Sequence, residues 1–250
     1  METENRVLVF DVDGTLTGPR RRIQEDFARF FRAIVQRETV YLVSGSDMPK
    51  LQNQLPEWLL DGVKGVFPCS GNEMYENGEV VYRHDHEFPS ELKDFAQSLI
   101  DASAYEERLG NHIEKRTGML NISVVGRNAG PLEREQYSEY DHIKHERCDM
   151  AKKISNKFPD YDATCSGQIS IDVAPKGFNK SRLFDEMKQR HPDAVICFFG
   201  DNIGEEGNDR PLATALLKAG KPHKVFGVRD YTETWKILEE DFTPDFQLAS

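Results

Sequence analysis

The chain has 250 residues, enough for a large α/β core carrying a smaller inserted unit. Its 43 acidic residues against 32 basic ones give a formal net charge of −11. That argues against nucleic acid or an anionic membrane as partner, and a phosphorylated substrate would need a local cluster of cations.

Val7 to Phe10 is a short continuous apolar run ended by Asp11-Val12-Asp13-Gly14, the pattern of a buried strand opening into a loop. Ile23, Phe27, Phe30, Phe31 and Ile34 recur at helical spacing, which predicts a helix from Ile23 to Val35. Val40 to Val43 is a second buried strand, ending at Ser44-Gly45-Ser46-Asp47 before another helical stretch. This β-α-β order implies a parallel sheet whose functional crevice lies beyond the C-terminal strand ends. An Asn77-Gly78 turn signal places Val80 to Tyr82 on the second strand of a hairpin. The middle of the chain reads differently: a helix over about 90–103, strands around 112–115 and 120–125, one long helix ending near Phe158, and a strand at 168–173. The first grammar returns with a helix from Ser181 to Arg190, an apolar run at 194–199 ending in Gly200-Asp201, and a strand at 224–228. The expected division is therefore a core of 1–83 and 178–250 with an α+β cap at 84–177. No apolar run approaches a membrane span, no signal-peptide pattern precedes the first strand, and Cys69, Cys148, Cys165 and Cys197 form no C-x-x-C pair. A cytoplasmic location and reduced thiols are expected.

Asp11 and Asp13 leave a buried strand two residues apart, so both can face the crevice, one as nucleophile and one as acid/base. Gly14 permits the tight turn, and Thr15 offers a hydroxyl and an N–H to phosphate oxygens. Ser44 and Ser46 follow the second strand, and Ser46 is placed to be a helix N-cap. Lys180 stands at the head of its helix and alone reads as a surface lysine. Asp201, with Asn208-Asp209 beyond it, ends a third buried strand. Asp11, Asp201 and the main-chain carbonyl of Asp13 are hard oxygen donors suited to Mg2+.

Asp-Val-Asp-Gly-Thr resembles the first motif of the haloacid dehalogenase superfamily of aspartyl phosphotransferases, and the other three motifs follow in order. The resemblance implies that Ser44 or Ser46 donates to a transferring phosphoryl group and that Lys180 neutralises both phosphate and the Asp11 carboxylate. The resemblance implies an α/β fold: a haloacid dehalogenase (HAD)-like Rossmannoid parallel-sheet core with an inserted α+β cap. A narrower resemblance runs through nearly the whole chain. Phe10 to Arg20, Lys115 to Asn121, Val125-Gly126-Arg127, Glu133-Arg134, Gly167 to Val173 and Gly200 to Asp209 are similar to the phosphomannomutase family. It implies that Arg20, Arg116, Arg127 and Arg134 bind substrate and that Ser170 and Asp172 contact the sugar or its phosphate. Ser44 stands where these mutases usually carry glycine.

The implied activity interconverts hexose 1-phosphate and 6-phosphate, mannose phosphates above all, through an aspartyl phosphate on Asp11 and a bisphosphate intermediate. Asp13 would serve in turn as general base and general acid, Mg2+ as metal, and a hexose 1,6-bisphosphate as activator. A homodimer through the cap is also implied. A sugar mutase must hold one phosphate at Asp11 while gripping a second, a task that suits planar guanidinium forks. The alternatives are a Mg2+-dependent sugar-phosphate phosphatase on the same scaffold, and a non-catalytic sugar-phosphate-binding protein.

Overall fold

The computed structural model describes residues 5–220 and 222–242. Strand β1 (Arg6–Asp11) lies parallel between β2 (Thr39–Val43) and β10 (Val195–Gly200), with Phe10 opposite Leu42 and Phe199. Its apolar run has no polar alternation because both faces are covered. Leu8 and Phe10 join one core with Phe27 and Phe31 of helix α1 (Glu25–Arg37), while Val7 and Val9 join a second core on the other side. That second core includes Leu183 and Met187 of α7 (Arg182–Arg190) and Leu212 and Leu216 of α8 (Arg210–Lys218).

The full sheet has seven strands in the order β11-β10-β1-β2-β3-β4-β5, where β3 is Gly65–Phe67, β4 Glu73–Glu76, β5 Glu79–Arg83 and β11 Lys224–Gly227. Five strands are parallel; β4 and β5 close one edge as an antiparallel hairpin. Its turn residues Asn77 and Gly78 both have positive φ, as a tight hairpin turn demands. Because β10, β1 and β2 are adjacent and parallel, Asp11, Ser44 and Asp201 emerge from the same edge of the sheet. Helix α2 (Met48–Gln54) starts on Asp47, whose carboxylate accepts from the Lys50 N–H. Asp47 is thus the N-cap, and the Ser46 hydroxyl is left for other work.

Between β5 and α7 the chain builds a second, antiparallel sheet in the order β6-β7-β9-β8: β6 is Ile113–Arg116, β7 Met119–Ile122, β8 Tyr161–Ser166 and β9 Ser170–Pro175. Leu120, Ile122, Ile171 and Val173 share a separate core with Leu92, Ala96 and Ile100 of α4 (Ser90–Asp101) and with Met150, Ala151 and Ile154.

Two expectations here need correction. The single long helix is two, α5 (Pro131–Lys144) and α6 (Glu146–Lys157), broken where His145 takes a left-handed conformation at φ 54°. Asp141 holds the break by accepting from the Arg147 N–H and from Arg147 Nε, both at 2.7 Å. Strand β8 was not expected at all. It is an edge strand, and Tyr-Asp-Ala-Thr-Cys-Ser shows neither a continuous apolar run nor a clean alternation.

Candidate active site

The loop after β1 folds back on itself: the N–H groups of Leu16 and Thr17 both bond to the Val12 carbonyl, and that of Gly14 to the Thr17 carbonyl. Gly14 sits at φ 88°, and a Cβ there would run into the Asp201 carboxylate. A side chain is therefore excluded by conformation and by space together. Asp11 is buried. Its Oδ1 accepts from Lys180 Nζ at 2.6 Å, and the same ammonium donates to Asp209 Oδ1 at 2.6 Å. Lys180 lies in the turn before α7, wholly enclosed. Burial alone would pull its ammonium down, but the Asp11 and Asp209 carboxylates hold it above its ordinary value. Burial, with the nearby Asp209 and Asp201 charges, pushes the Asp11 carboxyl well up against the pull of Lys180.

Asp11, Asp201 and Asp209 each bring an oxygen to within 4.8 Å of the others. Asp201 opens onto the cavity but is crowded on its other sides, and that crowding, with Asp209, pushes its carboxyl up to about 7. Asp11 and Asp209 share a single ammonium and Asp201 stands beside them, which leaves negative charge unbalanced, and the absent side chain at Gly14 keeps the space beside Asp201 clear. The donor set fits a hard divalent cation such as Mg2+. Asp209 already spends Oδ1 on Lys180 and Oδ2 on the Asn202 N–H at 3.0 Å.

Asp13 is held at three points. Its Oδ1 accepts from the Arg20 N–H at 2.6 Å and from Gln54 Nε2 at 2.8 Å, and its Oδ2 from Ser46 Oγ at 3.3 Å. Arg20 has φ 56°, a left-handed backbone that costs a non-glycine residue about 1–3 kcal/mol and is held here by that bond to Asp13. Ser44 accepts from the Ser46 N–H at 3.0 Å. Gln54 was invisible from the sequence, because nothing local marks a buried glutamine 41 residues from its partner.

A cavity of about 240 Å3 lies between the two sheets, lined by Asp11, Asp13, Arg20, Ser44, Ser46, Arg116, Arg134, Ser170 and Asp201, with Asn121, Gln168 and Asn208 among its further walls. Arg116 is buried and donates through Nη1 to the Gly45 carbonyl at 2.7 Å, tying β6 to the loop after β2. Glu114 takes Arg116 Nη2 at 2.6 Å and Lys50 Nζ at 2.8 Å on the same oxygen. Burial and the adjoining Arg20 charge lower the Arg134 guanidinium to about 10; crowding and Arg116 lower that of Arg20. Three mutually repelling guanidiniums thus face one cavity. Arg134 Nη2 is buried without a partner, as is Thr15 Oγ1. Groups left so are costly unless a ligand satisfies them.

Three expected residues do not line this cavity. Lys180 lies behind Asp11. Arg127 is turned away, donating to Ser170 Oγ at 2.9 Å with Nε 3.6 Å from Glu114. Asp172 accepts from Asn121 Nδ2 at 2.6 Å and borders a neighbouring cavity, its second oxygen unpartnered.

A family model described as eukaryotic phosphomannomutase matches residues 27–239. The phosphomannomutase of Dendrobium officinale is 33% identical over 242 residues, covering 92% of this chain and 93% of that protein. That of Drosophila melanogaster is 34% identical over 251 residues, covering 96% of each. Among solved structures, the IMP-nucleotidase of Plasmodium falciparum matches with a TM-score of 0.63 at 16% identity, over 95% of this chain and 68% of that one. The C-terminal domain of C. albicans trehalose-6-phosphate phosphatase matches at 0.60 and 17% identity, over 92% and 81%. At such identities the likeness shows a shared mixed α/β fold and carries nothing on substrate.

Proposed function

The chain belongs to the eukaryotic phosphomannomutase family, and from that premise we propose that it interconverts hexose 1-phosphate and hexose 6-phosphate, mannose phosphates first. One observation carries the reading: Asp11, backed by the enclosed Lys180, and the cluster Arg20, Arg116 and Arg134 border a single cavity, which gives reacting and distal phosphates separate sites. A phosphatase acting on a monophosphate needs only the first.

In this mechanism Asp11 carries the phosphoryl group, supplied initially by a hexose 1,6-bisphosphate. Lys180 offsets the charge of Asp11 and of the phosphate. Asp13, its Oδ1 occupied by Gln54 and Arg20, uses Oδ2 to take the proton from the substrate hydroxyl as that oxygen receives the phosphoryl group. The bisphosphate then turns end for end. Its other phosphoryl group passes to Asp11 while Asp13 returns the proton to the leaving oxygen. Arg20, Arg116 and Arg134 hold whichever phosphate is distal, with Ser170 beside them; Arg127 and Asp172 act through Ser170 and Asn121. Asp11, Asp201 and the Asp13 main-chain carbonyl would hold Mg2+, which when bound withdraws charge from the transferring phosphoryl group.

The sheet of 113–175 serves as cap and the seven-stranded sheet as core, and closure excludes water that would hydrolyse the aspartyl phosphate. Family membership supports a homodimer through the cap and a cytoplasmic setting; among the described residues no helix is long and apolar enough to cross a membrane. The test is a coupled assay with mannose 1-phosphate and glucose 1-phosphate, each with its bisphosphate. Bisphosphate-dependent formation of the 6-phosphate is expected; release of inorganic phosphate without an activator would make the chain a phosphatase.

A further inference from the structure

Among the described residues a second group of potential metal ligands stands apart from Asp11, Asp201 and Asp209, and the mechanism uses none of it. Cys148 on α6 and Cys165 on β8 have their sulfurs 3.3 Å apart, and Glu206, on the loop between β10 and α8, brings an oxygen within 4.8 Å of both. Backbone contacts hold the two sides in register: the Cys165 N–H donates to the Glu206 carbonyl at 3.1 Å, and its carbonyl accepts from Asn202 Nδ2 at 3.2 Å. The ligands therefore converge from paired backbones, two from the inserted sheet's side and one from the loop that carries Asp201 and Asp209.

We propose that Cys148, Cys165 and Glu206 form a site for a thiophilic divalent cation, Zn2+ in the first instance, that pins the inserted unit to the core. Two sulfurs and one carboxylate oxygen are a borderline-soft donor set, wrong for Mg2+ and right for Zn2+, which takes four ligands and here leaves the fourth position to water. Binding replaces the two S–H protons, which leave to solvent. Two thiolates and Glu206 then carry three negative charges against the two of the ion. Lys152 Nζ, 2.6 Å from Glu206 Oε1, supplies the remaining positive charge. The other two cysteines are no part of this: Cys69 and Cys197 are buried in separate apolar clusters.

Because Glu206 and the cysteines come from opposite sides of the cleft, the ion binds the closed form, and linkage shifts the closed-to-open ratio by 1 + [Zn2+]/Kd. That consequence for turnover rests on the inserted unit being a cap that opens; the binding site does not. At free Zn2+ ten times its Kd the shift is about elevenfold, and turnover limited by opening falls about as much.

The test is a Co2+ titration of the whole chain under reducing conditions with Mg2+ in excess, following the thiolate-to-cobalt charge-transfer absorption, which oxygen ligands at Asp11 and Asp201 cannot produce. The expected result is a band that saturates at one equivalent, is displaced by Zn2+ and is absent from a Cys148→Ser/Cys165→Ser double variant of unchanged circular dichroism. Glu206→Gln, which keeps both sulfurs, should bind at least about tenfold more weakly. No band in the wild type, the same band in the double variant, or unchanged affinity in Glu206→Gln would overturn the proposal. With turnover established, Zn2+ should inhibit the wild type and spare the double variant. Failure of that arm alone would overturn the pinning, and an inactive wild type would count against the enzymatic reading while leaving the titration to decide the site.

Discussion

Gln54 Nε2 donates to Asp13 Oδ1 at 2.8 Å from the last residue of α2, and also reaches Thr17 Oγ1 at 3.3 Å. A buried amide thus fixes the carboxylate proposed as acid/base and the loop that carries it. A hydrogen bond to a charged group contributes about 1.5–3 kcal/mol. Gln54→Leu should therefore lower kcat by about 10- to 100-fold, with a smaller change in KM, while p-nitrophenyl phosphate turnover falls less, because its leaving group needs little proton donation. Steady-state kinetics on both substrates checks this.

Arg134 and Arg127 should separate. Arg134 faces the cavity with Nη2 unpaired, whereas Arg127 is engaged with Ser170 and Glu114. Arg134→Ala should lower mutase kcat/KM by about 10- to 100-fold, the loss of one charge-assisted contact, and leave p-nitrophenyl phosphate hydrolysis within a few-fold. Arg127→Ala should act less strongly on the mutase and lower the melting temperature more, since it removes a support of Glu114 and Ser170. Kinetics and thermal unfolding of both variants provide the comparison.

These two arginines also mark how far the sequence could be read. Both lie in matching strings, so they could be picked out as candidates, but which guanidinium turns inward depends on contacts formed only in the fold, Arg127 with Ser170 and Glu114 and Arg134 with the Ala129 carbonyl. The β-α-β core was legible because buried parallel strands are continuous apolar runs. Lys180 was readable only through its order among the other motifs, since nothing local distinguishes it from a surface lysine. Gln54 was missed because Asp13 is distant in sequence, and Glu114 because its bridging role needs Lys50, 64 residues away, as well as the nearby Arg116. The helix break at His145 was missed because the stabilising signal is a side-chain bond from Asp141 to Arg147 rather than a glycine or proline.

Lys180→Met removes the ammonium that bonds both Asp11 and Asp209 and leaves buried carboxylates without it. Breaking such a pair costs about 3–5 kcal/mol, to be measured by denaturant unfolding in metal-free buffer, with turnover lost as well. The pH dependence has a definite sign. Asp11 is already pushed up in the folded chain, and without Lys180 it rises further, so the folded state binds more protons than the unfolded one. The variant should recover stability as pH falls from neutral toward the ordinary carboxylate range, and lose it as pH rises.

Gly14→Ala should cost activity through the metal. A Cβ at φ 88° is strained and would displace the Asp201 carboxylate. The expected outcome is a Mg2+ requirement raised at least about tenfold, read from activity against Mg2+ concentration. Wild-type protein treated with EDTA should be inactive and recover on adding Mg2+.

The central claim is that Asp11 carries the phosphoryl group between the two ends of the sugar. It is tested most directly by incubating the chain with hexose 1,6-bisphosphate and Mg2+, quenching in acid, and locating the phosphoryl group by peptide mass spectrometry. The account predicts one phosphorylated peptide, modified on Asp11, that disappears when mannose 1-phosphate is added in excess without bisphosphate, and none in Asp11→Asn. Phosphorylation at another residue, or an Asp11→Asn variant that still converts mannose 1-phosphate to mannose 6-phosphate at the wild-type rate, would contradict it.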